Sequence, residues 1–195
     1  WLSGTGWQFG LLLWFLAGSI AMRGAGCVYN DITDAELDRQ VARTASRPIA
    51  SGRVSKRTAW IWLAALSFVG LIVLLQIPLQ AQIIALASLL LVAAYPFMKR
   101  ITWWPQAWLG LTFNWGLLVG WATLADANWG VAIAVYLGCV AWTVGYDTIY
   151  AVQDKEDDAL VGIRSSALRM GGKVKQGVAT CYALAVALWA LGFWL

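Results

Sequence analysis

All ten acids of the chain except Asp126 fall in two stretches, and their spacing is what could do chemistry. The first reads "NDITDAELD". If it continues a helix, Asp31, Asp34 and Asp38 fall at i, i+3 and i+7 on one face, with Asn30 beside them and Glu36 pointing away. The second reads "YDTIYAVQDKEDDALVGIRSSA". There Asp147, Asp154 and Asp158 fall at i, i+7 and i+11, again one face of a helix, with Asp157 set off it. Like charges stacked on a helix repel unless a cation sits among them. Only oxygen ligands are on offer, so the cation would be hard. Mg²⁺ suits, because it takes one or two carboxylates plus substrate phosphates and keeps several waters. Arg43, Arg47, Lys99 and Arg100 are at hand to clamp a phosphate, the arginines in bidentate fashion. Salt bridges in solvated loops are the plainer alternative.

The composition says where such a site must sit. Of 195 residues, 61% are hydrophobic and 12% charged, outside the range of soluble domains on both counts. The 14 tryptophans fit the aromatic belts of a membrane protein. There is no histidine, which excludes His-ligated metals and His-based triads within the chain. Cys27, Cys139 and Cys181 lie far apart in apolar segments, and we read them as buried small hydrophobes. No basic region precedes the first apolar stretch and no small-residue cleavage site follows it, so no signal peptide is expected.

Six spans of membrane length are expected, over 7–29, 58–77, 80–98, 105–125, 129–150 and 174–195. Pro78 separates the second from the third, Pro105 opens the fourth, and Asp126 to Asn128 form a polar turn. Every basic residue except Arg23 lies in or beside the loops at 30–57, 99–104 and 151–173, which the positive-inside rule places in the cytoplasm. Both acidic stretches belong to those loops. Asp147 lies in the end of an apolar span, where an ionisable group is a functional candidate. Arg23 is seven residues before Asn30, shares its face, and suits either an ion pair or a substrate contact. Gly24, Ala25 and Gly26 suit close helix approach. The basic residues are mixed with acids and tied to membrane loops, so no nucleic-acid partner is expected.

"NDITDAELD" and "DKEDD" together resemble the paired Asp motifs of the UbiA superfamily of intramembrane prenyltransferases. The flanks "RTASRPIASGRVS", "YPFMKRITWWPQ" and "YDTIYAVQDKEDDALVGIRSSA" resemble its 4-hydroxybenzoate polyprenyltransferase branch. The resemblance covers nearly the whole chain. It implies an all-α, polytopic membrane helical bundle of about nine helices, six of them here, in a single domain over 1–195 whose first and last family helices lie outside the chain. It implies an enzyme of ubiquinone biosynthesis. A polyprenyl group would pass from its diphosphate to the ring carbon ortho to the hydroxyl of 4-hydroxybenzoate, with Mg²⁺ as cofactor.

By the same resemblance, Asn30, Asp31, Asp34, Asp38, Asp154 and Asp158 would hold the metal, and Asp34, Asp38, Asp154 and Asp158 would be catalytic. Arg23, Asn30, Arg43, Arg47, Lys99, Arg100, Tyr146 and Asp147 would bind substrate. Expected partners are the prenyl diphosphate, the aromatic acid and the lipid bilayer, with no obligate protein partner. A bacterial cytoplasmic membrane is expected ahead of a mitochondrial inner one. Homogentisate, a naphthoate or a porphyrin are the alternative acceptors. A cation transporter is the non-enzyme alternative, but its acids should lie near the bilayer midplane rather than at helix ends. CDP-alcohol phosphotransferases are disfavoured, since no Asp-Gly-x-x-Ala-Arg occurs.

Overall fold

The computed structural model describes residues 9–124, 127–160 and 162–195, and among them the regular structure is helical throughout. The expected turn residue Asp126 and the start of the first span, residues 7 and 8, lie outside the described residues. Five helical segments are long and apolar enough to cross a membrane: Phe9–Asp38, Lys56–Leu74, Leu79–Ile101, Trp129–Gln153 and Ser166–Trp194. The chain forms two compact units, Trp1–Gln82 and Ile83–Leu195.

The first unit is built on α1 (Phe9–Asp38) and α2 (Lys56–Leu74). They pack closely because glycine faces a side chain at three points: Gly18 against Val73, Gly24 against Leu66 and Gly70 against Met22. Gly26 has open space where a Cβ would stand, so it does not share that role. Ile32 and Ala35 of α1, Ile49 of the connecting loop and Ala59 of α2 make a small apolar core, flanked by Val28, Val54 and Leu63. Ser55 caps α2 by accepting from the Thr58 amide at 3.1 Å. Cys27 is exposed on α1, contrary to the expectation that all three cysteines are buried; Cys139 and Cys181 are partly buried. The helical surface around a small packing seam leaves large residues such as Leu13, Leu16 and Ile20 exposed, as lipid requires.

The second unit is centred on α6 (Trp129–Gln153), the most buried of the long helices. α9 (Val174–Trp194) runs along it. Gly138 and Gly145 of α6 accept the rings of Trp189 and Tyr182, and Trp142 lies 4.6 Å from Tyr182 and 5.6 Å from Trp189 between centroids. α3 (Leu79–Ile101) begins directly after Pro78, as expected, and ends one turn later than expected. Lys99 and Arg100 therefore occupy its last turn rather than a loop, where the negative end of the helix dipole favours cations.

The fourth expected span is not one helix. It is broken at Asn114 into α4 (Pro105–Phe113) and α5 (Trp115–Trp121). The Asn114 amide donates to the Gly110 carbonyl at 2.8 Å and to Thr143 Oγ1 of α6 at 2.9 Å. A break at membrane depth is tolerated only where other groups satisfy the freed backbone. Neighbours do more of this work. Tyr136 Oη donates to the Leu111 carbonyl at 2.7 Å, and the indoles of Trp108 and Trp115 donate to Leu91 and Ile84 of α3 at 2.9 and 2.8 Å. These two tryptophans thus pin helices together rather than form a belt.

Candidate active site

The two acidic stretches lie in different units. In the first unit α1 continues without interruption through Asp38, so Asp31, Asp34 and Asp38 do share one helix as expected. Asp34 is 1% exposed and Asp38 is 7% exposed, which is unusual for carboxylates and demands partners. Glu36 points the other way. It is exposed and pairs with Arg39 at 2.8 Å and Lys56 at 3.3 Å.

The loop after α1 is folded so as to bring an arginine back over these acids. Thr44 Oγ1 donates to the Asp38 carbonyl at 3.0 Å, closing the first turn. Arg39 Nε holds the far limb through the Ala50 carbonyl at 2.9 Å. Ile49 and Ala50 are buried, anchoring the loop in the core, and Gly52 takes φ 79° at the reversal, where glycine is favoured. Between these anchors Arg47 Nη1 donates to Asp31 Oδ1 at 3.2 Å and to Asp38 Oδ2 at 3.0 Å. Asp31, Asp38 and Arg47, distant in sequence, thereby form one cluster. Asn30 is partly buried beside it, and Arg23 and Arg43 are exposed on the same unit.

In the second unit Tyr146 and Asp147 are partly buried near the end of α6. The expected single face over Asp147, Asp154 and Asp158 is not carried by one helix. α6 stops at Gln153, Asp154 is its C-cap, and α7 (Lys155–Leu160) follows as a separate short helix. Lys155 and three acids crowd the start of α7, where negative charge is favoured by the dipole. Asp154 and Asp158 are half-buried, whereas Glu156 and Asp157 are exposed. The Asp158 amide donates to the Asp154 carbonyl at 2.8 Å, keeping the two one turn apart.

The following loop contains groups that the sequence reading passed over. The Ile163 amide donates to the Asp158 carbonyl and the Arg164 amide to the Lys99 carbonyl, both at 2.8 Å. Ser166, at the start of α8 (Ser166–Met170), is fully buried. Its Oγ lies 2.6 Å from Thr148 Oγ1 of α6, and its amide donates to Gln106 Oε1 of α4 at 3.0 Å. Serine and threonine are too common to single out from a sequence, though their position directly after a charged loop and beside Asp147 is a usable signal.

Among the described residues, no group of three or more acidic or thiol side chains gathers closely enough to hold a metal by itself. The donors nevertheless fit Mg²⁺ in kind. They are carboxylates and one amide oxygen, and Mg²⁺ ordinarily draws its remaining ligands from phosphate and water. The position between Asp31 and Asp38 is one that attracts a cation, since the Arg47 guanidinium lies there.

A bundle of long apolar helices with ionisable groups at helix ends defines a multi-pass integral membrane protein. The chain belongs to the UbiA prenyltransferase family, whose family model matches residues 1–195. The 4-hydroxybenzoate polyprenyltransferase, mitochondrial, of Aedes aegypti is 49% identical over 162 residues, covering 83% of this chain and 37% of that protein. The protein of the same description from Homo sapiens is 47% identical over 166 residues, covering 85% of this chain and 45% of its own length. Among solved structures, the apo structure of a UbiA homologue from Aeropyrum pernix K1 aligns with a TM-score of 0.84 at 28% identity, covering 96% of this chain and 71% of that one. The chain spans less than half the length of the curated relatives it matches.

Proposed function

We propose that the whole protein transfers a polyprenyl group from an allylic prenyl diphosphate to the ring carbon ortho to the hydroxyl of 4-hydroxybenzoate. The observation that carries this reading is the partly buried Asp31–Arg47–Asp38 cluster at the end of a membrane helix, in a chain of this family and about half identical to proteins described as 4-hydroxybenzoate polyprenyltransferases. Asn30, Asp31, Asp34 and Asp38 of the first unit, and Asp154 and Asp158 of the second, would hold Mg²⁺, which would supply charge neutralisation for the departing diphosphate.

The chain's own groups do the rest. Arg47 donates its guanidinium N–H groups to diphosphate oxygens once they compete with the carboxylates. Arg23, Arg43, Lys99 and Arg100 add positive charge where negative charge grows as the allylic C–O bond breaks. The electron pair of that bond leaves with the diphosphate. The ring carbon of 4-hydroxybenzoate attacks the allylic carbon, and the ring proton passes to a carboxylate oxygen of Asp154 or Asp158, or to the departing diphosphate. Tyr146 and Asp147 contribute to substrate binding. Apolar walls keep out water, which would otherwise trap the allylic cation. We infer an energy-coupling membrane. The relatives' mitochondrial names weigh toward the mitochondrial inner membrane, against the sequence-based preference for a bacterial one.

The test uses membranes holding the full-length protein, a labelled short prenyl diphosphate and Mg²⁺, with 4-hydroxybenzoate or homogentisate as acceptor. A 3-prenyl product from 4-hydroxybenzoate that disappears with EDTA is expected. Product from homogentisate alone would move the protein to another branch. Neither product nor diphosphate release, from protein shown to be folded, would overturn the reading.

A further inference from the structure

The C-terminus of α3 presents Lys99 and Arg100, and like any helix end it leaves carbonyls without helical partners. Two of them are taken by a single residue that is distant in sequence. The Arg164 amide donates to the Lys99 carbonyl at 2.8 Å, and Arg164 Nη1 donates to the Ile101 carbonyl at 2.7 Å. Its guanidinium also stacks over Trp103, 5.5 Å from the ring centroid. Arg164 stands on a fixed base. On one side the Ile163 amide is bonded to the Asp158 carbonyl. On the other, Ser165 caps α8 through the Leu168 amide at 3.3 Å, and Ser166 is locked to Thr148 and Gln106. A continuous set of hydrogen bonds thus joins the helix bearing Asp158 to the helix end bearing Lys99.

We propose that Arg164 is a positioning residue, which sets Lys99 at the correct distance from Asp158 to grip the diphosphate. This deepens the functional reading above and rests on it. A lysine could not replace it fully, because the ammonium is a point charge without the planar fork that reaches a carbonyl while stacking on an indole. Nothing in the role requires Arg164 to touch the substrate. Its effect passes through Lys99.

The test is a double-mutant cycle in the full-length protein. R164M, R164K, K99A and K99A/R164M are compared by KM for the prenyl diphosphate, KM for 4-hydroxybenzoate, and Tm in detergent. R164M is expected to raise KM for the prenyl diphosphate about tenfold, within the range of coupling inside one hydrogen-bonded network, and to leave KM for the aromatic acid unchanged. R164K is expected to fall between R164M and the parent. K99A/R164M is expected to be no worse than K99A, because a residue acting through Lys99 has nothing left to position. Additive losses in the double variant, or equal rises in both KM values, would overturn the proposal. So would an unchanged KM for the prenyl diphosphate in R164M. If R164M does not fold, R164K paired with K99A carries the same cycle. Absence of any turnover in the parent protein defeats instead the functional reading beneath it.

Discussion

Arg47 reaches back over nine residues to place its guanidinium 3.0 Å from Asp38, whose side chain is only 9% exposed while that of Arg47 is 34% exposed. The carboxylate is thus nearly out of solvent and its counter-ion is not. Such a pair suffers more from loss of the cation than from loss of the arginine's packing. A buried charge left alone is costly, whereas a partly hydrated arginine is not.

R47A is therefore expected to lower both stability and turnover. The stability loss is about 1–2 kcal/mol, reduced from the fully buried case because solvent reaches the arginine. Turnover should fall by about 10²-fold or more, as when a charge-stabilising donor is removed. Thermal denaturation in detergent and kcat/KM measure the two separately, and R47K should restore stability better than turnover.

The acids divide by exposure into two sets with different expected behaviour. Asp34→Ala and Asp158→Ala should abolish turnover in the full-length protein. Glu36→Gln and Asp157→Asn, at exposed positions, should leave it within about twofold of the parent, as surface changes ordinarily do. Full activity in either of the first pair would remove that residue from the site.

The hydroxyl pair between Thr148 and Ser166 has no access to water. T148V should strand the Ser166 hydroxyl, and S166A the Thr148 hydroxyl, each at about 1–3 kcal/mol. The double variant T148V/S166A should be less destabilised than the sum of the two. Strict additivity of the Tm changes would mean that the pair is not coupled.

Gly138 shows how closely α6 and α9 approach. A Cβ there would run into the Trp189 ring, with the Ala185 carbonyl 3.1 Å away. G138A is expected to cost about 1–3 kcal/mol through overpacking. W189L should recover part of that loss in the double variant, which urea or detergent unfolding can measure.

Much of this is legible in the sequence. Apolar runs separated by charged loops locate α2, α3, α6 and α9 to within a turn, because membrane thickness and helix rise leave little choice, whereas α1 runs on past its apolar span to Asp38. The acidic face over Asp31, Asp34 and Asp38 was legible because the helix stays regular there. The face over Asp147, Asp154 and Asp158 was not, because the helix ends at Gln153 and its register is reset at Asp154. The break at Asn114 was hidden inside a run that is apolar throughout. One amide side chain diverts the backbone there, held by Thr143 on another helix. The part played by Arg47 was visible as a charge in the right region, but its two partners depend on how Ile49 and Ala50 seat the loop.

α1 has 30 residues in one helix, so it is about 45 Å long, against a hydrocarbon layer of about 30 Å. Its first two thirds are mostly apolar, with one face packed on α2 and large residues exposed on the other, and its last third carries carboxylates. A single helix therefore fixes the depth of those carboxylates relative to the oily interior. Inserting or deleting one turn in the apolar part would raise or sink the carboxylates by about 5.4 Å without changing any residue of the site. The helix works as a depth gauge, and its apolar length is under the same constraint as the acids it lifts.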